Sequence, residues 1–252
     1  MAVGTAERVS SEVTDNFVFQ RSRLAYVTAA GIVRGTVLEI GTGTGYGIEI
    51  IAPAAEHFTT LDKSCAIDPS ALPANVTFRQ LAVPPLPFED ESFDCVVSFQ
   101  VIEHIKRDRE LIREVHRVLK KGGRFIVSTP NRAMSLTRNP WHVREYSAEE
   151  LRALLGDFSS VECRGVGGNA SVWSYYEKNR ESVRRIMRFD VLRMQWWLPR
   201  WVLRIPYDIM NRLNRRRLYD KNRELTAGIR MEDYFVAEVD ERSFDLFYIA
   251  HK

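Results

Sequence analysis

The 252-residue sequence predicts an α/β fold with a mostly parallel sheet and helices on both faces. Short segments rich in β-branched and aromatic residues alternate with segments of helical period, as in βαβ units. A run of alternating glycines follows the first of these segments, and 45% hydrophobic with 27% charged residues is an ordinary globular composition. The predicted strands are 36–40, 57–62, 76–80, 94–99, 124–129, 160–165 and 244–252.

Helices are predicted from apolar residues at helical intervals and from the residues that cap them. Gly122 is expected to end the second helix as a C-terminal glycine stop. Ser147 and Glu150 have capping-box spacing at the start of the third. The predicted helices are 16–31, 108–121 and 147–156.

The alternating glycines connect the first predicted strand to the segment behind it. Gly41, Gly43 and Gly45 allow positive φ and a close approach of the backbone to a ligand, and a helix start offers free N–H groups. Nucleotide-type ligands bind at this end of a parallel sheet. The spacing excludes a dinucleotide motif, whose last glycine would fall on Tyr46 or Ile48, and no Gly-Lys-Ser/Thr phosphate loop occurs.

Residues 39–45, Glu-x-Gly-x-Gly-x-Gly, resemble the cofactor motif of class I S-adenosylmethionine-dependent methyltransferases, in particular the type 11 group of quinone and glycan pathways. LPFEDESFD (86–94) and HRVLKKGGRFIVSTPN (116–131) resemble later segments of that family in the same order, so the similarity covers residues 17–165. The resemblance implies a Rossmann-like doubly wound seven-stranded sheet with an antiparallel last strand. It also implies a bacterial enzyme with S-adenosylmethionine as cofactor.

By this resemblance, Glu39 and the glycines hold the methionine part of the cofactor, Asp62 the ribose, and the backbone near Leu81 and Ala82 the adenine. The segment QLAVPP lacks the Asp-Ala that relatives often carry there, so the usual carboxylate for the adenine amino group is missing. The alternative for Glu39 is a structural acid that caps the loop. The expected cofactor-binding residues are Glu39, Gly41, Thr42, Gly43, Gly45, Asp62, Lys63, Leu81, Ala82, Phe99 and Gln100.

Two histidines are candidates for a catalytic base, which methyl transfer needs only when the acceptor must lose a proton. His104 follows the fourth strand and His142 lies in the loop after the fifth, and both loops border the acceptor pocket in the family. The alternatives are a helix-start hydrogen bond for His104 and loop packing for His142. Trp141, Arg144 and Tyr146 of the second loop are expected to contact the acceptor.

No metal is predicted. Some quinone-pathway relatives hold a divalent metal with carboxylates beside the first of these histidines. Here Gln100 stands where such a site would want an acid, which leaves only Glu103 and His104.

The composition favours a cytoplasmic protein. The three cysteines form no metal-ligand spacing, and their odd number argues against a disulfide framework. No uncharged apolar run approaches the ~20 residues of a membrane span. The N-terminus lacks the apolar segment of a secretory signal.

The predicted organisation is a flexible N-terminus (1–15), a core (16–168 and 240–252) and an insertion (169–239) between strands six and seven. The insertion is basic, Trp-rich and mainly helical. Its residues 173–223 contain fourteen Lys/Arg, five Asp/Glu and four of the five tryptophans.

An amphipathic stripe is predicted within the insertion. Trp201, Ile205, Ile209 and Leu213 recur at four-residue spacing, and Pro199 and Pro206 are expected to separate helices. Three interpretations stay open: a cap over the acceptor pocket, a peripheral surface for anionic membrane, or an RNA-binding surface.

The expected function is methyl transfer to a small-molecule, lipid or glycan acceptor, at oxygen. A noncatalytic S-adenosylmethionine-binding or membrane-scaffold module is one alternative, and an RNA methyltransferase is another. Nucleic acid is the less favoured partner, since the fourth strand ends SFQV and lacks the Asn/Asp-Pro-Pro-Tyr/Phe motif of enzymes that methylate exocyclic amines.

Overall fold

The computed structural model describes residues 12–188, 190 and 194–252 and contains one eight-stranded sheet. Its strands are β1 (Thr36–Ile40), β2 (His57–Asp62), β3 (Val76–Gln80), β4 (Phe93–Phe99), β5 (Leu119–Pro130), β6 (Ser160–Gly168), β7 (Tyr234–Glu238) and β8 (Asp245–His251). The spatial order is β3-β2-β1-β4-β5-β8-β6-β7. Strands β1 to β5 are parallel to one another, β8 is antiparallel to both β5 and β6, and β7 is antiparallel to β6.

The α-helices follow the order of the predicted α/β fold. They are α1 (Asn16–Ala30), α2 (Ile48–Ile51), α3 (Asp108–Val118), α4 (Ala148–Leu154), α5 (Ala170–Met187), α6 (Met194–Trp197), α7 (Arg200–Lys221) and α8 (Arg223–Gly228). The capping box predicted at the start of α4 is present, with Ser147 and Glu150 each bonding to the other's backbone.

The core lies on both faces of the sheet because successive strand residues point to opposite sides. In β8, Phe247 and Ile249 belong to a cluster with α1 and α2, while Leu246 and Tyr248 belong to a cluster with α3 and α4. All four side chains are buried. Burial on both faces explains why the strand sequences read as nearly continuous apolar runs.

The predicted α/β fold is confirmed, but the seven-strand count is wrong by one strand. Strand β7 lies inside the segment 169–239, which the sequence analysis assigned to a mainly helical insertion. It forms an edge beside β6, where Gly168 is paired with Tyr234. The alternation in YFVAE is too short to separate a strand from a loop. The domain boundaries themselves stay a prediction.

The second predicted helix ends three residues early, at Val118 rather than residue 121. Leu119 has extended φ and ψ and is paired with Phe93 of β4, so strand β5 begins there. Strand pairing therefore ends the helix before Gly122, which had been expected to end it.

Pro206 does not separate two helices, as had been expected, but lies inside α7. Pro199 does precede that helix. The side chain of Pro206 is exposed. After this proline, Asp208 accepts a hydrogen bond from Trp141 and Asn214 donates one to Asn179, so α7 is bonded to two other parts of the chain. Tertiary contacts thus outweigh the roughly 3 kcal/mol preference against an internal proline.

Of the flexible N-terminus predicted for residues 1–15, residues 1–11 lie outside the described part of the chain. Residues Val13–Asp15 form a 3₁₀ turn, and Asp15 pairs with Arg215 of α7. The described structure therefore begins before the predicted boundary.

Truncation of the buried ring at the centre of β8 should destabilise the protein strongly. Phe247→Ala removes a side chain that is fully buried between β5 and β6, and we expect a loss of about 3–5 kcal/mol in the free energy of unfolding. Phe235→Ala, in the exposed edge strand β7, is the matched control and should cost about 1 kcal/mol or less. Urea unfolding measures both, and equal losses would contradict the placement of β8.

Candidate active site

A cavity of about 420 Å³ opens at the carboxyl ends of four neighbouring strands. Gly41 follows β1, Asp62 ends β2, Leu81 follows β3 and Gln100 follows β4, and all four residues line it. This is the edge at which open parallel sheets bind their ligands.

The turn that contains Gly41, Gly43 and Gly45, called the glycine turn below, forms one wall of the cavity. Its glycines differ in how much space surrounds them. Gly41 and Gly45 have φ of +97° and +88°, and a Cβ atom there would lie 2.3 Å from Val101 and 2.6 Å from Ile67. Gly43, with φ of +57°, has no atom within 4 Å of the place of a Cβ. The two outer glycines therefore allow close packing, while the backbone at Gly43 leaves open space for a ligand.

Glu39 lies beneath the turn and does not line the cavity. Its Oε1 accepts a 2.7 Å hydrogen bond from the Tyr26 hydroxyl of α1, and Oε2 accepts one from the Thr60 hydroxyl of β2. Burial raises the pKa of this carboxyl to about 7, against the lowering effect of the two hydrogen bonds. These contacts favour the structural alternative, an acid that fixes the loop.

Asp62 holds the turn from the side of β2 and also lines the cavity. Its Oδ2 accepts a 3.0 Å hydrogen bond from the backbone N–H of Gly43, and its Oδ1 accepts one of 3.0 Å from the N–H of Ser64. The carboxylate is thereby fixed in orientation at the wall of the cavity.

An apolar wall closes the side of the cavity beyond β3. It consists of Leu81, Ala82, Val83 and Pro84, and the N–H of Leu81 donates to the carbonyl of Asp62. A flat aromatic base suits such a wall, because it buries apolar area without needing a charged partner.

His104 lines the cavity on the side of β4. Its Nδ1 is 3.0 Å from the carbonyl oxygen of Trp141, which can only accept, so Nδ1 carries the proton of the neutral ring. Its Nε2 is then the unprotonated nitrogen and lies 4.0 Å from Oε1 of Glu103. Glu103 is itself buried and accepts a 2.9 Å hydrogen bond from Thr129.

His142 packs against His104 but does not line the cavity. The two rings are nearly perpendicular, with centroids 5.0 Å apart. Nδ1 of His142 donates to Glu145 at 2.7 Å, and Nε2 accepts from the amide of Asn139 at 2.8 Å. The amide oxygen of Asn139 accepts from the N–H of Trp141, which fixes the orientation of that amide. Both ring nitrogens of His142 are therefore engaged.

The three residues expected to contact the acceptor lie around the cavity rather than in its wall. Arg144 forms an ion pair with Asp108, and the hydroxyl of buried Tyr146 donates to the same carboxylate at 2.8 Å. The indole N–H of Trp141 donates to Asp208 of α7 at 2.9 Å. Their acceptor roles stay predictions.

Comparison with known proteins matches residues 38–127, which include the glycine turn and β4, to the family model described as a methyltransferase domain. A probable S-adenosylmethionine-dependent methyltransferase of Mycolicibacterium smegmatis is 38% identical over 160 residues, which cover 60% of this chain and 62% of the relative. This chain is thus similar to S-adenosylmethionine-dependent methyltransferases over the segment that carries the cavity.

Two further comparisons agree with this similarity. A probable S-adenosylmethionine-dependent methyltransferase of Mycobacterium tuberculosis is 35% identical over 167 residues, 63% of this chain and 61% of the relative. The match thus spans less than two thirds of either curated relative. The crystal structure of an S-adenosylmethionine-dependent methyltransferase from Thermotoga maritima has a TM-score of 0.52 at 18% identity and covers 93% of this chain and 92% of that one. It shows the shared fold.

S-adenosylmethionine, which the names of these relatives give as their cofactor, fits the cavity. The open space at Gly43 is a cradle that any side chain would fill, and the Asp62 carboxylate can accept hydrogen bonds from ribose hydroxyls. The apolar wall at Leu81 suits adenine, although no carboxylate for its amino group follows β3. Nine of the eleven residues predicted to bind the cofactor line the cavity, namely Gly41, Thr42, Gly43, Asp62, Lys63, Leu81, Ala82, Phe99 and Gln100.

Other residues of the cavity were not predicted from sequence. Tyr26 reaches it from α1, and Tyr46, Lys106 and Arg107 also line it. Tyr46 is part of the glycine turn and could have been expected to do so. No local pattern marks Tyr26, since its role depends on how α1 packs on the sheet.

Three potential metal ligands converge beside the cavity. One ligand atom each from Glu103, His104 and His142 lies within 4.8 Å of the others. Only Glu103 and His104 could be expected from the sequence, because His142 comes from a distant loop. Both ring nitrogens of His142 already have partners, and the absence of a metal stays a prediction.

The buried Glu39 should make stability depend on pH. Its pKa is about 7 in the folded protein, against an ordinary value of 4.5, so the folded state holds a proton that the unfolded state has lost between these values. The free energy of unfolding therefore falls as pH rises through this window. Asp245, whose pKa burial raises to about 6 from 3.8, adds a decline of the same sign at lower pH.

Glu39→Gln should remove about 2–3 kcal/mol of the difference in unfolding free energy between about pH 5 and about pH 8. Urea unfolding of the cofactor-free protein at both pH values measures it. Glu149→Gln, at an exposed carboxyl, is the control and should keep the decline of the unmodified protein. An unchanged decline in the Glu39 variant would contradict the raised pKa.

Asp62→Asn should weaken S-adenosylmethionine binding about tenfold or more, because a charged acceptor at the cavity wall becomes neutral. Calorimetric titration measures the dissociation constant. Asp68→Asn changes an exposed carboxylate that caps a neighbouring 3₁₀ turn and should bind as the unmodified protein does. Equal affinity in all three proteins would count against a role of Asp62 in binding.

Proposed function

We propose that this chain transfers the methyl group of S-adenosylmethionine to an oxygen atom of a small-molecule, lipid or glycan acceptor, with His104 as the general base. The observation that carries the proposal is the hydrogen bond between Nδ1 of His104 and the carbonyl of Trp141. It leaves Nε2 of a cavity-lining histidine free to take a proton. An acceptor hydroxyl needs such a base, whereas an acceptor that loses no proton does not.

The residues around His104 support this role. S-adenosylmethionine, when bound, supplies a methyl group on an activated sulfonium. Nε2 of His104 takes the proton of the acceptor hydroxyl, and Nδ1–H keeps its bond to the carbonyl of Trp141. The resulting imidazolium gains the attraction of the buried Glu103 carboxylate, 4.0 Å away. Glu103 is a positioning residue in this scheme, because it acts through the histidine.

His142 is assigned a positioning role instead of catalysis. Its two nitrogens hold Glu145 and Asn139, and its ring packs edge-on against His104. The loop is also bonded to the other side of the site, since the N–H of Val143 donates to the carbonyl of Glu103 at 2.7 Å. The loop thereby sets the orientation of the base.

Alignment and exclusion of water are the rest of the contribution of the chain. The glycine turn and Asp62 hold the cofactor end of the cavity, while Ile105 and Val101 add apolar surface next to His104. This combination suits a neutral hydroxyl on a small or lipid-linked acceptor. In this proposal the acceptor binds next to the loop that carries Trp141 and His142, which also contacts α7.

The first test is whether the chain transfers methyl groups at all. The full chain is incubated with S-adenosylmethionine labelled in its methyl group and with separate lipid, polar and RNA fractions of cell extract, and labelled products are analysed by mass spectrometry. An O-methyl ether in the lipid or polar fraction is the expected result. Label in RNA alone, or cofactor binding without any transfer, would overturn the proposal in favour of an RNA methyltransferase or a noncatalytic module.

Replacement of the base should slow transfer to the labelled acceptor by about a hundredfold or more, while cofactor binding is retained. His104→Gln tests this, with kcat from initial rates and the dissociation constant of S-adenosylmethionine from calorimetry. His142→Gln should have a smaller effect on kcat, since the amide can still bond with Glu145 or Asn139. His116→Gln, where the ring packs on Phe158 away from the cavity, is the control. Equal rates for the His104 variant and the control would exclude His104 as the base.

A further inference from the structure

An exposed apolar stripe runs along α7. Trp201, Ile205, Ile209 and Leu213 are 74%, 71%, 54% and 47% exposed. Their four-residue spacing places them on one side of the helix, and contiguous apolar surface of this kind marks an interaction site. Trp196 of α6, also exposed, adds a further ring just before the stripe begins.

The opposite side of α7 is already fixed to the rest of the chain. Asn214 and Leu218 are buried, and the amide of Asn214 donates to Asn179 of α5 at 2.8 Å. Asp15, which precedes α1, pairs with Arg215. The stripe is therefore the face that remains after α7 has packed on its own domain.

Positive charge borders the stripe. Arg212 and Arg216 follow Ile209 and Leu213 by three residues, which places them on the same side of the helix one turn further on. Both side chains are exposed, and no carboxylate within the described part of the chain forms an ion pair with either. The segment 173–223 as a whole carries nine more basic than acidic residues.

We propose that this face of α7 is a docking surface for an anionic lipid bilayer. Apolar side chains of an interfacial helix enter the boundary between headgroups and acyl chains, and arginines beside them reach anionic headgroups. Tryptophan favours the same depth because its ring is apolar and its N–H is polar. Of the helices that the structure describes, none has the length and apolar character needed to cross a membrane.

Charge complementarity favours a bilayer over a second copy of the chain. A symmetric contact between two such faces would bring a second set of arginines to the same interface, without carboxylates on either stripe to pair with them, and would add repulsion. An RNA partner would match the arginines but would leave Ile205, Ile209 and Leu213 without a reason for their exposure. An anionic bilayer accounts for both the apolar and the basic residues.

The proposed surface is next to the loop that carries His142. Trp141 donates to Asp208 of α7 at 2.9 Å, and the guanidinium of Arg204 lies 4.4 Å from the ring centre of Trp141. Arg200 donates to the carbonyl of Val143 at 2.6 Å. Docking would thus hold this loop near the headgroup region. The inference rests on the exposed face and does not require the proposed methyl transfer.

Vesicle flotation of the full chain tests the proposal. The protein should float with vesicles of phosphatidylcholine and phosphatidylglycerol, should float weakly with phosphatidylcholine alone, and should lose much of its binding as salt is raised. Absence of flotation on the anionic vesicles, or equal flotation on both kinds, would overturn the proposal.

Two double variants separate the charge from the apolar contact. R212Q/R216Q and I205S/I209S should each lower the partition coefficient on anionic vesicles about tenfold or more. R109Q/R113Q, on exposed positions of α3, and Phe235→Ser, on β7, are the matched controls and should float as the unmodified protein does. Calorimetry with S-adenosylmethionine verifies that every variant is folded. Flotation equal to the controls in both stripe variants would contradict the proposal.

The competing partners give opposite results in parallel measurements. Analytical ultracentrifugation should show that I205S/I209S leaves the oligomeric state unchanged. A dimer that this variant dissociates, with no flotation, would assign the stripe to a second copy. RNA that is shifted on a gel by the unmodified protein but not by R212Q/R216Q, again without flotation, would assign it to nucleic acid. Loss of methyl transfer with flotation retained would affect only the proposed function.

Discussion

The hydrogen bonds to the buried carboxyl group of Glu39 join three elements beneath the glycine turn. Tyr26 brings α1 to this carboxyl, Thr60 brings β2, and Glu39 itself belongs to β1. A buried carboxyl is costly without partners, so the two hydroxyls stabilise the packing of α1 and β2 against β1. The ring of Tyr26 also closes against Gly47, where a Cβ would lie 2.1 Å away. The shape of the cofactor cavity follows from this arrangement.

The N-terminal end of α1 contacts the helical segment between β6 and β7. Asn16 donates to the carbonyls of Thr226 and Ile229, and the ring of Phe17 stacks on Tyr175 at 4.6 Å. The cavity and the helices α5 and α8 are therefore both attached to α1. A shift of this helix would change both the loop beneath the cofactor and the position of α7.

The local parts of the fold and site could be predicted from sequence, because local chemistry determines them. β1, β2 and β3 begin and end as predicted, and the glycines of the turn lie where a ligand loop needs positive φ. The contacts that complete the site could not be predicted from the sequence. The approach of His142 to His104, and of Tyr26 to Glu39, depends on distant segments that share no periodicity or spacing. β7 was missed for a related reason, since only its pairing with β6 makes those five residues a strand.

The way the helical segment leaves and rejoins the sheet has a consequence for how such proteins diversify. Gly168 and Tyr234 are paired residues on adjacent antiparallel strands, so the backbone departs and returns at nearly the same point. The segment between these two residues is therefore joined to the sheet at a single hairpin position. A short turn could close β6 and β7 there without altering any strand pairing of the cofactor half. Evolution can thus lengthen, shorten or exchange this segment while the sheet that forms the cavity stays the same.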